Sequence, residues 1–182
     1  MSNLAELADD IGVDERTLRR AAGQGTLRAE RLSPRRLRLP PGEAAYLRRH
    51  WSLLGLLRSA LRTEPNVAFA MLFGSVARGD DHAESDVDLL VVLREESLGR
   101  KLELQDRLER AVGRKVHLLD LEAASRNEIL LSMAVEEGRV LIDRGELWAT
   151  LRSELDSLRR RARRGLKRDR RQALSAIDAF LA

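Results

Sequence analysis

Two aspartates, Asp86 and Asp88, stand two positions apart and follow a Gly74-Ser75 pair after an interval of ten residues, Val76 to Ser85. The apolar run Val67-Ala68-Phe69-Ala70-Met71-Leu72-Phe73 leads into the Gly-Ser pair, and Leu89-Leu90-Val91-Val92 follows the second acid. Alternate side chains of a strand share a face, so Asp86 and Asp88 are expected to point the same way while Val87 turns into the core. Carboxylates paired on one face suit a hard divalent cation such as Mg2+, which takes oxygen ligands and shares them with substrate phosphates. A glycine at the turn lets backbone N–H groups approach a phosphate closely, since no side chain intervenes. Together these residues predict a nucleoside-triphosphate site.

The elements that must hold this site are legible around it. Run 67–73 is apolar throughout, as in a strand covered on both faces. A second strand is expected at 86–93, a helix from Ser97 to Ala111, a third strand from Lys115 to Leu121, a helix around 123–136 and a last strand at 138–142. Before them, Gly42 to Leu61 reads as one helix bridging from an N-terminal unit, stopped near Thr63-Glu64-Pro65-Asn66. The predicted class is α+β, with a mixed central sheet and flanking helices.

The GS–x10–DxD pattern, read in "GSVARG" and "SDVDLLVV" with the later "VEEGRVLID", resembles the minimal nucleotidyltransferases of the polymerase-β-like superfamily across residues 65–145. The resemblance implies transfer of a nucleoside monophosphate, usually AMP from ATP, with pyrophosphate released. It implies that Gly74 and Ser75 hold the triphosphate, that Asp86 and Asp88 coordinate Mg2+ or Mn2+, and that Arg78 contacts a phosphate. One position departs from the pattern. Where the family carries a third carboxylate on the next strand, this chain reads Val116-His117-Leu118-Leu119-Asp120-Leu121. Asp120 lies three residues beyond His117, so in an unbulged strand it faces the other side. His117 is therefore the third candidate catalytic residue, as a ligand that suits Mn2+ better than Mg2+ or as a general base.

Residues 1–50 read as a separate unit. Leu4, Leu7, Ala8 and Ile11 recur at helical spacing, Gly12 stops the helix, and Asp14 is placed to cap a second helix ending at Gly23 or Gly25. Two short strands follow around Ser33-Pro34, with Arg35, Arg36 and Arg38 in the turn and second strand. This order resembles winged helix-turn-helix domains of the excisionase and MerR-like kind. It makes Arg16, Arg19, Arg20, Arg35, Arg36 and Arg38 the candidate DNA-binding residues. Residues 51–64 form the linker helix and 146–182 a basic helical tail. In the tail, Leu147, Leu151, Leu155, Leu158 and Ala162 form an apolar stripe for packing on the transferase or on a second copy, and Gly165 is expected to interrupt the helix.

Composition narrows the class. Net charge is +4 and cysteine is absent, which favours polyanionic partners and excludes disulfides and thiolate metal sites. No apolar run is long enough to span a membrane and no signal segment opens the chain, so a cytoplasmic protein without membrane attachment is expected. Three functions compete on these residues. The first is an antitoxin-like enzyme that transfers AMP to a protein such as a HEPN-type toxin and represses its own operon. The second is an enzyme adding nucleotides to tRNA, suggested by the basic tail. The third is a DNA-binding regulator whose transferase domain senses nucleotide without turnover, suggested by His117.

Overall fold

The structure is a computed structural model that describes residues 4–33, 36–95 and 97–181, with side chains as far as 167. Two short helices, α1 (Leu4–Asp10) and α2 (Glu15–Gly23), precede a hairpin of β1 (Glu30–Ser33) and β2 (Arg36–Arg38). The long helix α3 (Glu43–Arg62) follows, entered through Gly42 in the left-handed conformation at φ +82°. Next come β3 (Val67–Phe73), the single-turn helix α4 (Gly74–Arg78), β4 (Val87–Leu93), α5 (Leu98–Val112) and β5 (Val116–Asp120). The chain continues through α6 (Leu121–Ser125), α7 (Glu128–Glu137), β6 (Arg139–Asp143) and α8 (Leu147–Leu181).

Strands β5-β4-β3-β6 form one mixed sheet, in which β3 runs antiparallel to both β4 and β6 while β4 and β5 are parallel. Strand alternation divides the side chains between two faces. Leu72, Leu89, Val91 and Val116 pack toward α3 and α5, whereas Phe69, Met71, Leu90 and Val140 pack with Leu131 and Val135 of α7 and with Leu151, Leu155 and Leu158 of α8. The apolar stripe of α8 is thus consumed within the chain, and the residues from Leu151 to Ala162 are not free to join a second copy. Gly165 does not interrupt α8, since one glycine costs a helix interior only about 1 kcal/mol. The helix expected around 123–136 is two: α6 ends at Ser125, and the Asn127 side chain accepts from the Leu130 N–H at 3.1 Å to start α7.

The N-terminal elements and the sheet share a continuous core. Leu7, Leu18 and Leu27 belong to the same buried cluster as Leu47, Leu54, Leu57 and Leu61 of α3 and as Val67 and Leu72 of β3. Segment 25–26 closes the edge of β6, with Val140 N–H donating to the Gly25 carbonyl at 3.0 Å and Thr26 Oγ1 donating to the Val140 carbonyl at 2.6 Å. Among the described residues no helix is long and apolar enough to cross a membrane.

Candidate active site

The Gly-Ser pair is the first turn of a helix and not a simple bend. Phe73 ends β3 in extended conformation, Gly74 reverses the chain at φ +74°, and α4 runs only to Arg78 before Gly79 closes it at φ +88°. First-turn N–H groups have no acceptor within a helix, so they stay available to an anion. The half-buried Ser75 side chain has no hydrogen-bond partner among the described residues.

Strand pairing brings the acids to this turn. Asp88 lies opposite Phe73 in the β3–β4 ladder, and a Cβ placed on Gly74 would sit 2.6 Å from Asp88 Oδ2. Glycine is thus required twice at position 74, by its backbone angle and by the carboxylate lying against it. Gly74→Ala is expected to displace Asp88 and to lower the nucleotidyl transfer that the resemblance implies by about 100-fold, the scale of a misplacement near 1 Å. Kinetics on the variant, with circular dichroism to confirm folding, check this.

His117 is the β5 residue directly opposite Asp88. Its Nδ1 lies 3.5 Å from Asp88 Oδ1 and its Nε2 lies 3.7 Å from Asp86 Oδ2, so the ring spans both carboxylates. The three side chains remain open, at 37% exposure for Asp86, 32% for Asp88 and 62% for His117. Burial raises the Asp88 pKa; the His117 ring opposes the shift, the Asp86 charge adds to it, and Arg78 opposes it from further off. Asp120 faces the other side, where it pairs with Lys101 of α5. Arg78, at the exposed end of α4, is held by Asp80 at 3.1 Å and Glu137 at 2.9 Å.

Among the described residues no three metal-binding side chains are arranged to hold an ion by themselves. Two carboxylates on one face beside open N–H groups nevertheless fit Mg2+ or Mn2+, because such ions take one or two carboxylates and complete their shell with substrate phosphates and water.

A buried polar network behind the site did not emerge from the sequence. Arg139 of β6 is 1% exposed and makes a bidentate contact with Glu43 of α3, at 2.6 and 2.9 Å. Its Nε donates to the Ala77 carbonyl of α4 at 2.8 Å, and its guanidinium lies 3.3 Å above the Tyr46 ring. Nearby, buried His50 lies 2.8 Å through Nε2 from Asp81 Oδ1, and Arg114 reaches Asp81 Oδ2 at 3.1 Å. Asp81 therefore anchors the segment between α4 and the paired acids.

Burial acts to raise the Asp81 pKa, but hydrogen bonds from His50 and Arg114 with the His50 and Arg49 charges prevail and lower it below the ordinary 3.8. An acid with a depressed folded pKa contributes stability above its unfolded value and loses it as pH falls through the folded one. Thermal unfolding of Asp81→Asn should accordingly depend less on pH below 3.8 than that of the parent chain.

The N-terminal arginines divide. Arg16, Arg20 and Arg36 are exposed, Arg19 pairs with Glu15 one turn earlier, and Arg38 pairs across the hairpin with Glu30. Arg35 lies outside the described residues. In α8, Arg159 is held by Glu136 and Arg161 by Glu128, while the side chains of Arg168, Arg170 and Arg171 lie outside those described.

Comparison with known proteins follows this geometry. Residues 56–147 match the family described as "Polymerase beta, Nucleotidyltransferase". Among solved structures, the chain is similar to a chain of a toxin-antitoxin crystal structure with AMP-PNP, at 26% identity and TM-score 0.51, covering 71% of this chain and 98% of that one. A mutant of the toxin-antitoxin MntA-HpeT matches at 25% identity and TM-score 0.48, over 71% of this chain and 96% of the other. A complex of a tri-AMPylated Shewanella oneidensis HEPN toxin with MNT antitoxin matches at 19% identity and TM-score 0.42, over 71% and 99%. No curated protein matches the chain.

Proposed function

Because the chain belongs to the polymerase beta nucleotidyltransferase family, we propose that it transfers AMP from ATP to a protein acceptor of the HEPN-toxin kind, as an antitoxin. The observation that carries this reading is the contact of Asp88 with the glycine of the Gly-Ser turn, which joins a carboxylate pair to a phosphate-accepting turn. The solved toxin-antitoxin structure with AMP-PNP supports an adenine nucleotide and a toxin-antitoxin setting.

In this reading Gly74 and Ser75 bind the triphosphate through first-turn N–H groups and the Ser75 hydroxyl, and Arg78 contacts a phosphate after leaving Asp80 and Glu137. Asp86 and Asp88 would hold Mg2+ or Mn2+, which when bound neutralises phosphate charge and orients the α-phosphate. His117 accepts the proton of the attacking acceptor hydroxyl, from a ring already placed against both acids. The acceptor oxygen forms its bond to the α-phosphorus as the bond to the β-phosphate bridge breaks, and pyrophosphate leaves.

The remaining assignments belong to the same proposal. Residues 1–50 form a winged helix-turn-helix unit that binds operator DNA through Arg16, Arg20, Arg36 and their neighbours, residues 51–64 link it to the transferase domain at 65–145, and 146–182 form the tail. Co-expression with the neighbouring gene product tests the function. A partner whose mass rises by one AMP in the presence of ATP and Mg2+ or Mn2+ supports it, and an unchanged mass despite bound ATP argues against it.

His117 favours a second reading, in which the domain binds nucleotide without turnover and signals to DNA. If the wild type is inactive and His117→Asp creates activity, that reading holds. Transfer to tRNA has less support, since Arg159 and Arg161 of the tail are already paired with acids of α7.

A further inference from the structure

A cleft of about 780 Å³ opens between the C-terminal end of α2, the outer half of α3 and the corner where β6 enters α8. It lies toward the opposite end of β3 from Gly74: Asp143, on its wall, pairs with Phe69, and Arg144 N–H donates to the Ala68 carbonyl. No residue of the candidate active site lines it.

Three guanidiniums converge there from two helices, Arg20 from α2 with Arg58 and Arg62 from α3. None has a carboxylate partner among the described residues, although most other arginines around them are paired. Arg58 donates to Gln24 Oε1 at 2.8 Å, but its Nε is buried with no acceptor at all. Burial lowers the Arg58 pKa, and the charges of Arg62 and Arg20 add to the shift. Neither acid on the wall forms an ion pair with these three arginines. Asp143 accepts the N–H groups of Gly145, Leu147 and Trp148, and Glu146 is exposed at the rim. Trp51 and Trp148 supply flat apolar surface on the same walls.

A buried donor without a protein acceptor, beside two exposed arginines that have no carboxylate partner among the described residues, favours an anion, and guanidiniums suit phosphate oxygens. The volume falls within the range of about 300–1,000 Å³ for small-molecule sites, large enough for a base beside its phosphate. We propose that this cleft is a second, separate binding site for a nucleoside phosphate, with Arg20, Arg58 and Arg62 on the phosphate and an indole against the base. The site does not depend on the transfer activity proposed above, shares only Arg20 with the proposed DNA-binding face, and gives the chain a place to sense a nucleotide away from the paired aspartates.

The chain contains only two tryptophans, and both line this cleft, so intrinsic fluorescence reports on it directly. Full-length protein in EDTA is titrated with AMP, with adenosine and with inorganic phosphate. AMP is expected to change the emission saturably, adenosine to leave it unchanged, and inorganic phosphate to compete with AMP. Arg58→Gln and Arg62→Gln should each weaken AMP about tenfold, while Asp88→Asn leaves the titration as it was. A flat AMP titration overturns the proposal, as does a response that survives both arginine substitutions or disappears with Asp88→Asn. A short duplex that shifts the emission when AMP does not would assign the cleft to nucleic acid and overturn it equally.

Discussion

Asp88→Asn is expected to reduce nucleotidyl transfer by about 1,000-fold while leaving the fold intact or slightly more stable. The loss follows from removing one of two carboxylates that face the Gly-Ser turn, since metal-assisted charge stabilisation is worth several kcal/mol and each 1.36 kcal/mol is a factor of ten. The stability gain follows from the opposite sign to Asp81. Burial raises the Asp88 pKa in the folded state, so ionising it costs stability as pH rises from the ordinary 3.8 through the folded value, and the neutral amide avoids that cost at neutral pH. Single-turnover assays and thermal melts on the same preparation check both halves. A variant that loses activity by unfolding would not fit.

The second large effect is expected away from the chemistry. Arg139→Met leaves Glu43 buried without its bidentate partner, and breaking such a pair from one side costs about 3–5 kcal/mol. For a chain of this size that is a fall in Tm of about 10 °C, at roughly 2–4 °C per kcal/mol. The double variant Glu43→Leu/Arg139→Met should recover much of it, because two apolar groups need no partners. Scanning calorimetry of the single and double variants decides this. The same substitution removes the donor to the Ala77 carbonyl, so transfer by the surviving folded protein should also fall, through loosened placement of α4.

Much of the site could be read before the structure. The apolar runs on either side of Gly74-Ser75 and Asp86-Val87-Asp88 became β3 and β4, and a spacing of two placed both acids on one face because strand geometry leaves little freedom. Parity also separated His117 from Asp120, which face the paired acids and α5 respectively. The short helix α4 was not legible, since a single turn carries no periodicity. The break between α6 and α7 had a signal in the capping side chain of Asn127, masked by apolar residues on both sides.

The polar network was hidden for a different reason. Glu43 and Arg139 are 96 residues apart, His50 and Asp81 are 31 apart, and in a chain so rich in arginine a single charged residue looks like surface. Nothing local marks a buried arginine until its partner is known. Equally hidden was the reach of α3, whose leucines serve the N-terminal helices at one end and the sheet at the other in one core from Leu7 to Leu72.

Transfer of label from ATP marked at the α-phosphate tests AMP transfer by this chain without intermediaries. Purified protein is incubated with Mg2+ or Mn2+ and the co-expressed neighbouring gene product, beside an Asp86→Ala control. Label on the protein acceptor with stoichiometric pyrophosphate release, absent in the control, is the result expected. Equal labelling by wild type and Asp86→Ala, or ATP bound with no label transferred to any acceptor, would contradict the account.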